Sequence, residues 1–398
     1  LKKFYPKCLN GTRIISKYKS MIFAIDFVGT NIGSGTKSYS LNFCNELNNF
    51  KIRDKIVIFV TKDYFKQLDL DEKNNSRIRY IVKPNFFSNI IFRLIWMQFI
   101  LPFELKYLKI NRLFSPMNIC PIFAKIFRIK IVLALHSNLP WKFFNLMPGN
   151  YFRNFLTKKL MEISINACET LIVDSDFAKD EISNILKLKK KIVVIYLGID
   201  KKFLLENFSK SLEENFNYSE NYIISVLSCV KYHNILNLLK AFKLLIDENL
   251  INIKLVLVLQ ILDRNYAKEI FEFISLNFKN NEIMIFKNLN SEKLKNFYKY
   301  SQLYLFSSYC EGFGLTSLEA MSQGCPVLIS NTSALPEING EAAEYFDPDD
   351  IEDIKNKLNK ILTDNGYKKK LIDRGLIHHK KFTWSLNVKK TLNVINDF

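Results

Sequence analysis

Short runs of apolar, mostly β-branched residues alternate along the chain with longer amphipathic segments. Such runs are typical of strands in a parallel sheet that is covered by helices on both faces. In the first half they predict strands at Ile22–Phe27, Lys55–Val60, Ile78–Val82, Arg112–Ser115, Lys130–Leu135, Leu171–Asp174 and Ile192–Ile195. In the second half they predict strands at Tyr222–Val226, Ile253–Leu259, Glu282–Phe286, Leu303–Phe306 and Val327–Ser330. Helical patterns fill the gaps, for example Thr36–Asn48, Tyr151–Ala167 and Asn234–Asp247.

The alternation continues through both halves, so the predicted fold class is α/β with two Rossmann-like, doubly wound parallel sheets. The length of 398 residues suits two domains. We expect a first domain at residues 21–200 and a second at residues 201–381, with a polar linker at Ser209–Asn221. Residues 1–20 form an N-terminal extension to which the sequence assigns no role.

A glycine-rich turn between a strand and a helix is the most informative feature of the second half. Glu311 precedes Gly312-Phe313-Gly314, and the next helix is predicted from about Leu315 to Gln323. Glycines let the backbone approach a ligand closely, and the first amide groups of a helix have no partner within it. Together with the helix dipole, these amides form a binding site for a diphosphate. Glu319 follows Glu311 by eight residues, so the two carboxylates can bracket one bound molecule.

Residues 307–348, which contain this turn, resemble the donor-binding region of family 4 retaining glycosyltransferases of the GT-B fold. The resemblance extends over almost all of residues 21–395. Its other segments are Met21–Asp26, Gly33-Ser34-Gly35, Leu135-His136-Ser137, Leu171–Phe177, Ile192–Asp200 and Phe382-Thr383-Trp384. The resemblance implies that the two domains face a cleft and that the last helix, at about 382–398, crosses back to the first domain.

The resemblance also implies roles for individual residues. Glu311 would contact the donor hexose, Glu319 the donor ribose, and His136 would lie beside the donor sugar. The expected catalytic and donor-binding residues are Glu311, His136, Lys231, Glu319, Gly312, Phe313, Gly314, Leu315, Thr316 and His233. The backbone of Gly314, Leu315 and Thr316 would hold the phosphates, and Gly33-Ser34-Gly35 would face the phosphates and the acceptor from the other domain.

One loop departs from the family pattern. Family members usually carry an Arg and a Lys after the first strand of the second domain, where both neutralise the leaving diphosphate. Here Ser228 lies close to the Arg position, His233 takes the Lys position, and Lys231 is the only fixed cation on the loop. Because leaving-group stabilisation is a large part of such catalysis, a second interpretation stays open. It is a non-catalytic relative that binds sugar nucleotides or acts as a scaffold.

The function implied by the resemblance is transfer of a hexose from a nucleotide diphosphate sugar to a saccharide or lipid-linked saccharide, in cell-surface polysaccharide synthesis such as that of lipopolysaccharide. GDP-mannose is the first expected donor, with retention at the anomeric carbon and no metal or other cofactor. Since no carboxylate nucleophile is evident on the first-domain loops, we expect internal return on one face of the sugar. A sugar-nucleotide epimerase is a further alternative, which the turn Glu311–Gly314 disfavours.

Charge is distributed unevenly along the chain. The net charge is +18, with 32 basic and 15 acidic residues in positions 1–200 but 25 and 24 in positions 201–398. A basic first domain suits an anionic membrane surface, and a nucleic-acid partner has no supporting motif. Phe86–Phe103 is the most apolar stretch, although polar residues interrupt it. It predicts a buried or interfacial amphipathic helix rather than a membrane span, with Trp96 and Arg93 suited to an interface.

The cysteines argue against disulfide and zinc chemistry. The seven of them are scattered, and no C-x-x-C pair occurs. With four histidines and no metal-ligand spacing, no metal site is predicted, and a reducing cytoplasm fits. No cleavable signal peptide is expected. We therefore expect a cytoplasmic protein that lies peripherally on the inner face of the membrane.

Overall fold

The computed structural model describes residues 22–29, 34–52, 54–68, 75–204, 216, 218, 220–248, 252–279, 281–287 and 289–397. The predicted extension 1–20, Gly33 and most of the predicted linker Ser209–Asn221 lie outside the described residues.

Two parallel sheets organise the chain. The first contains β1 (Ile22–Asp26), β2 (Lys55–Thr61), β3 (Ile78–Lys83), β4 (Arg112–Ser115), β5 (Lys130–Leu135), β6 (Thr170–Val173) and β7 (Lys191–Val194), in the order β3-β2-β1-β4-β5-β6-β7. The second contains β8 (Tyr222–Cys229), β9 (Lys254–Ile261), β10 (Ile283–Lys287), β11 (Leu303–Phe306), β12 (Val327–Ser330) and β13 (Glu344–Phe346), in the order β10-β9-β8-β11-β12-β13. Both orders reverse beside the first strand of the sheet, as in doubly wound folds.

Helices connect the strands and cover both faces of each sheet. The helices of the first domain, with the short helix that follows it, are α1 (Ser34–Asn48), α2 (Lys62–Phe65), α3 (Ile90–Ile95), α4 (Leu101–Tyr107), α5 (Leu139–Lys142), α6 (Tyr151–Ala167), α7 (Asp176–Leu186) and α8 (Lys201–Leu204). The remainder are α9 (Ile235–Asp247), α10 (Arg264–Asn277), α11 (Ser291–Tyr300), α12 (Leu315–Ser322), α13 (Leu335–Asn339), α14 (Ile351–Thr363), α15 (Asn365–His378) and α16 (Trp384–Asn396).

The predicted class, with two parallel Rossmann-like sheets, is confirmed. Each of the twelve predicted strands is present, and its ends agree with the structure within three residues. The thirteenth, β13, was not predicted, because three residues at the sheet edge carry little periodicity. The last helix, α16, packs against α1 and β4 of the first domain. There Arg112 Nη1 donates to the carbonyl of Ile395 at 2.9 Å.

The apolar stretch between β3 and β4 is helical but irregular. A π-helical segment, Trp96–Ile100, joins α3 to α4. The prediction that Trp96 and Arg93 lie at an interface is wrong, because Trp96 is only 1% exposed and Arg93 only 7%. Their side chains point into the first domain, whereas Ile95 between them is exposed. Among the described residues no helix has the length and apolar character needed to cross a membrane.

Candidate functional site

The switch point of the second sheet lies between β8 and β11, which pair directly. Ligands of open α/β sheets bind beyond the carboxyl ends of the strands at such a point. The loop after β8 carries Lys231 and His233, and the loop after β11 carries Glu311. Hydrogen bonds join the two loops, since Tyr309 N donates to Tyr232 O at 2.8 Å and Ser307 Oγ to His233 O at 2.8 Å. The fold therefore brings these predicted residues together.

The turn before α12 depends on a glycine. Gly314 is the N-cap residue and has φ +95°, a left-handed conformation that favours glycine. A Cβ at this position would lie 2.6 Å from Leu335 Cδ2. No side chain caps the helix, which begins at Leu315, so its first amide groups have no acceptor within it. Tyr304 Oη donates to Thr316 Oγ1 at 2.7 Å, which leaves the threonine proton able to donate to a ligand.

His233 contacts Glu311 directly. The amide of Ser228 donates to His233 Nδ1 at 2.9 Å, so Nδ1 has no proton and the ring proton is on Nε2. Nε2 lies 3.3 Å from Glu311 Oε1. His233 is buried, whereas Lys231 is exposed and its ammonium makes no ion pair with the part of the chain that the structure describes. The ring of His233 thus lies against the Glu311 carboxylate rather than in solvent.

Glu319 is half-buried one turn into α12. Burial, and to a smaller extent the negative charge of Asp200 in the segment that leaves the first domain, raise the pKa of its carboxyl to about 8. A carboxyl that is desolvated in this way is stabilised by a ligand that donates hydrogen bonds to it. Glu319 therefore faces the segment between the two domains with an unmet capacity to accept hydrogen bonds.

His136 follows β5 and lies on the first-domain side. Its Nδ1 is 2.8 Å from Asp174 Oδ2, and its Nε2 is 2.9 Å from the carbonyl oxygen of Pro116. Both neighbours only accept, so the ring satisfies both contacts when it is doubly protonated. Burial disfavours the charge, but the charge and hydrogen bond of Asp174 outweigh it, and the pKa of His136 lies above its usual value. In that state the ring has no free nitrogen, and its charge is paired with the Asp174 carboxylate.

Asp174 is a carboxylate that the sequence analysis did not find on the first-domain loops. It follows β6 and is 3% exposed, and both of its oxygens face His136 Nδ1. A second such group is Asp26, at the end of β1 and 1% exposed. Burial raises the pKa of Asp26 to about 6, against the lowering effects of the Arg93 charge and a hydrogen bond from the Val28 amide.

The donor turn touches the first domain. A Cβ on Gly312 would lie 2.6 Å from the carbonyl oxygen of His136, so only glycine fits there in this arrangement. Ser175 Oγ donates to the carbonyl of Gly312 at 3.0 Å. Phe313 is buried against Tyr196 and Phe382, with ring centroids 5.9 and 5.7 Å away. Its ring thus packs between the domains, and its backbone alone can face a ligand.

Glu337, on α13, forms a second connection across the cleft. Its carboxylate accepts hydrogen bonds from the amides of Asp176 and Phe177 at 2.8 and 2.7 Å, and from Tyr196 Oη at 2.9 Å. Asp176 and Phe177 are the first residues of α7, so a second-domain carboxylate caps a first-domain helix. Each side of this contact has a local sequence signal: Ser175 as a helix N-cap, and Leu335-Pro336-Glu337 as a turn. The sequence does not show that these two segments meet.

The glycine-rich loop of the first domain is described in part. Ser34 begins α1, and Gly35 lies in its first turn, where an added Cβ would meet no described atom within 4 Å. Arg93 of α3 contacts Gly29, the last described residue before this loop, because a Cβ on Gly29 would lie 2.3 Å from Arg93 Cδ.

Comparison with known families supports the fold and the site region. Residues 34–203 match the family model for Glycosyltransferase Family 4, and residues 207–377 match that for Glycosyl transferases group 1. The chain belongs to the family 4 glycosyltransferases. The two matches divide between the two sheets, so both halves of this family 4 chain carry the family's sequence pattern.

Two curated relatives and one solved structure are similar to this family 4 chain. It is 28% identical over 247 residues to the serotype-specific mannosyltransferase WbdA of Escherichia coli, covering 59% of this chain and 29% of WbdA. It is 22% identical over 338 residues to the O-antigen chain mannosyltransferase RfbU of Salmonella typhimurium, covering 83% and 87%. A glycosyltransferase crystal structure from Rickettsia africae superposes with a TM-score of 0.72 at 16% identity, covering 96% and 99%. This last likeness shows a common fold.

Proposed function

We propose that the chain transfers a hexose, mannose being the first candidate, from a nucleotide diphosphate sugar to a saccharide or lipid-linked saccharide in cell-surface polysaccharide synthesis. The family and the mannosyltransferase relatives support this class of reaction. Because the chain spans less than a third of the length of WbdA, the donor and acceptor of that protein do not transfer to it directly.

The arrangement around Gly312 carries the proposal. It brings Glu311, the uncapped start of α12 and the His136 backbone of the other domain to one place between the two sheets. In this site Glu311, oriented by His233 Nε2, would accept hydrogen bonds from the hexose. Glu319 would accept them from the ribose. The amides of Gly314, Leu315 and Thr316 and the hydroxyl of Thr316 would donate to the diphosphate, as helix starts do for anions.

We further propose retention at the anomeric carbon without a metal. Both oxygens of Asp174 are engaged by His136, which disfavours Asp174 as a nucleophile and supports internal return on one face. His136, when doubly protonated, would stabilise negative charge that develops nearby. NMR of the product gives its anomeric configuration, and an inverted product would exclude this route. Activity that EDTA abolishes and Mg²⁺ restores would exclude metal independence.

The first test is a donor panel of GDP-mannose, UDP-glucose and dTDP-glucose with saccharide and lipid-linked acceptors. We expect transfer from one donor, and a loss of about 100-fold or more in Glu311→Gln, which removes a charge from the donor site. Glu341→Gln is the matched control, because the Glu341 carboxylate is 90% exposed and lies 3.9 Å from Arg374. Equal rates in Glu311→Gln and Glu341→Gln would exclude Glu311 from the site.

A non-catalytic, sugar-nucleotide-binding protein is the second candidate. It is supported by the state of the phosphate loop, where His233 is committed to Glu311 and Lys231 is exposed. If it is correct, donors bind without turnover on every acceptor. The double variant Ser228→Arg with His233→Lys would then create transfer where the natural chain has none. Transfer by the natural chain would dispose of this candidate.

A further inference from the structure

The largest group of exposed apolar side chains in the first domain lies on two neighbouring elements, and a further group lies on α6. The two neighbouring elements are the segment from α3 through the π-helical turn to α4, and the 3₁₀ helix Ile122–Phe127. The apolar strip, as we name it, consists of Ile91, Phe92, Ile95, Phe99, Phe103, Tyr107, Phe123 and Ile126. Each of these side chains is at least 43% exposed, and Tyr107 reaches 86%. Isolated exposed apolar residues are ordinary, but a contiguous set marks a binding surface.

Ring contacts show that the strip is one surface rather than two. Phe99 and Phe123 have ring centroids 5.2 Å apart, and Phe103 and Phe127 have centroids 5.1 Å apart. Outward residues at 91, 95, 99, 103 and 107 recur every four positions, so they follow one side of the helical segment. From Ile90 to Tyr107 that side is about 27 Å long at the helical rise.

A cavity of about 370 Å³ adjoins the α4 end of the strip. It is lined by Ile81, Phe103, Tyr107 and Leu108, with Lys83 and Glu104 as an ion pair on its wall. An open apolar cavity beside an exposed apolar face can receive a hydrocarbon chain, as lipid-contacting surfaces do.

Charge around the strip is predominantly positive. Residues 83–130 contain eight basic residues and one acidic residue, Glu104, which is paired with Lys83. The exposed cations Lys106, Lys109 and Arg128 flank the strip, and Lys106 Nζ lies 4.7 Å from the centroid of the Phe127 ring. A second copy of this chain would bring the same cations against themselves. An apolar face bordered by positive charge instead complements a bilayer with anionic headgroups.

We infer that the apolar strip and its basic border dock the first domain on an anionic lipid bilayer, with the apolar side chains inserted among the acyl chains. The inference rests on the proposed function in one respect: docking would present a lipid-linked acceptor to the cleft. Arg93 lies in the α3 segment and touches the segment at Gly29 that leads to the glycine-rich loop. Docking through this segment therefore holds the acceptor side of the cleft at the membrane.

The experiment measures flotation of the full chain with phosphatidylcholine vesicles, with and without phosphatidylglycerol. We expect strong binding only with phosphatidylglycerol, weakened about tenfold or more by the triple variant Ile91→Ser, Phe99→Ser, Phe103→Ser. Leu276→Ser with Ile377→Ser is the matched control, because both side chains are as exposed but lie on second-domain helices. The control should bind like the natural chain.

A charge-reversal pair tests the basic border. Lys106→Glu with Arg128→Glu should weaken binding about 25-fold or more, at about fivefold for each basic residue near an anionic surface. Lys240→Glu with Lys268→Glu, exposed on α9 and α10, should leave binding unchanged. No binding by the natural chain, or equal losses in the controls, would overturn the inference. So would a dimer in vesicle-free sedimentation that the triple variant dissociates.

The same measurements separate this inference from the proposed function. Vesicle binding with a failed donor panel would refute the transfer reaction alone. Transfer to a short saccharide acceptor without vesicle binding would refute the docking surface alone. Donor binding without vesicles should be the same in the natural chain and the triple variant, which also shows that the variant is folded.

Discussion

Replacing Glu337 by alanine removes a carboxylate through which the second domain caps a helix of the first. The side chain accepts three hydrogen bonds, from the Asp176 and Phe177 amides and from Tyr196 Oη, at 2.7 to 2.9 Å. Negative charge beside a helix start is favourable in itself, because the dipole places positive charge there. Opening of the cleft would break all three bonds together, since the donors belong to the first domain and its linker.

The size of the effect follows from these contacts. A hydrogen bond to a charged group contributes about 1.5–3 kcal/mol, but Glu337 is only half-buried and water replaces its partners in an open form. A net value of about 1 kcal/mol for each bond gives about 3 kcal/mol for the set. Since about 1.4 kcal/mol is a factor of ten, Glu337→Ala should shift the balance between closed and open arrangements about 100-fold toward open.

Two measurements check this expectation. Hydrogen exchange at the amides of Asp176 and Phe177 should accelerate in Glu337→Ala, and the radius of gyration from small-angle X-ray scattering should increase. Glu341→Ala should change neither, because its carboxylate is exposed and faces Arg374 in the same domain. Glu337→Gln keeps one acceptor oxygen without the charge, so its exchange rates and radius of gyration should lie between those of Glu337→Ala and Glu341→Ala. Unchanged exchange at both amides in Glu337→Ala would refute the reasoning.

Three other variants test separate parts of the site. Gly312→Ala should open the cleft by scattering, because its Cβ would lie 2.6 Å from His136 O. A Cβ on Gly35 would meet no described atom within 4 Å, so Gly35→Ala should leave the cleft closed, and equal scattering curves for the two variants would contradict this. Since burial raises the pKa of Glu319 to about 8, the natural chain loses stability as pH rises through that value. Urea titrations give the unfolding free energy of Glu319→Gln minus that of the natural chain. This difference should increase between about pH 6 and about pH 9, and a difference that does not change with pH would refute the raised pKa. The pKa of His136 is higher in the folded chain than in the unfolded chain. The stability that this difference gives is present below the unfolded pKa and is lost as the pH rises through the folded pKa. Asp174→Asn should therefore destabilise the fold more at about pH 5.5 than at about pH 9. An equal loss at both would show that the ring is uncharged.

Most of the fold could be predicted because a buried parallel strand leaves a strong local signal. Lys130–Leu135 and Val327–Ser330 are apolar runs with no alternation, and both were predicted at their observed ends. The site could be predicted only where the chain itself brings residues together. The turn Glu311–Gly314 and the start of α12 are consecutive, so their geometry follows from glycine and from the helix start.

Contacts between distant parts of the chain could not be predicted in the same way. Ser175 and Gly312 are 137 residues apart, and Asp176 and Glu337 are 161 apart, so no local pattern links them. The same holds for Asp174, which was passed over as the end of a strand and is the partner of His136. Residues of both domains must be placed before such pairs can be recognised.

The segment between β3 and β4 shows a different limit of sequence pattern. Apolar residues on a helix indicate the side that avoids water, but they do not say whether that side meets the core or another apolar medium. In this segment both sides are apolar: Met97, Leu101 and Leu105 are buried, while Phe99 and Phe103 face out. Hydropathy alone therefore favoured Trp96 and Arg93 as interfacial residues. Because the inward side already fills the core, packing within the molecule gives no reason for the outward side to be apolar. Contact of these outward apolar side chains with a lipid bilayer would account for them.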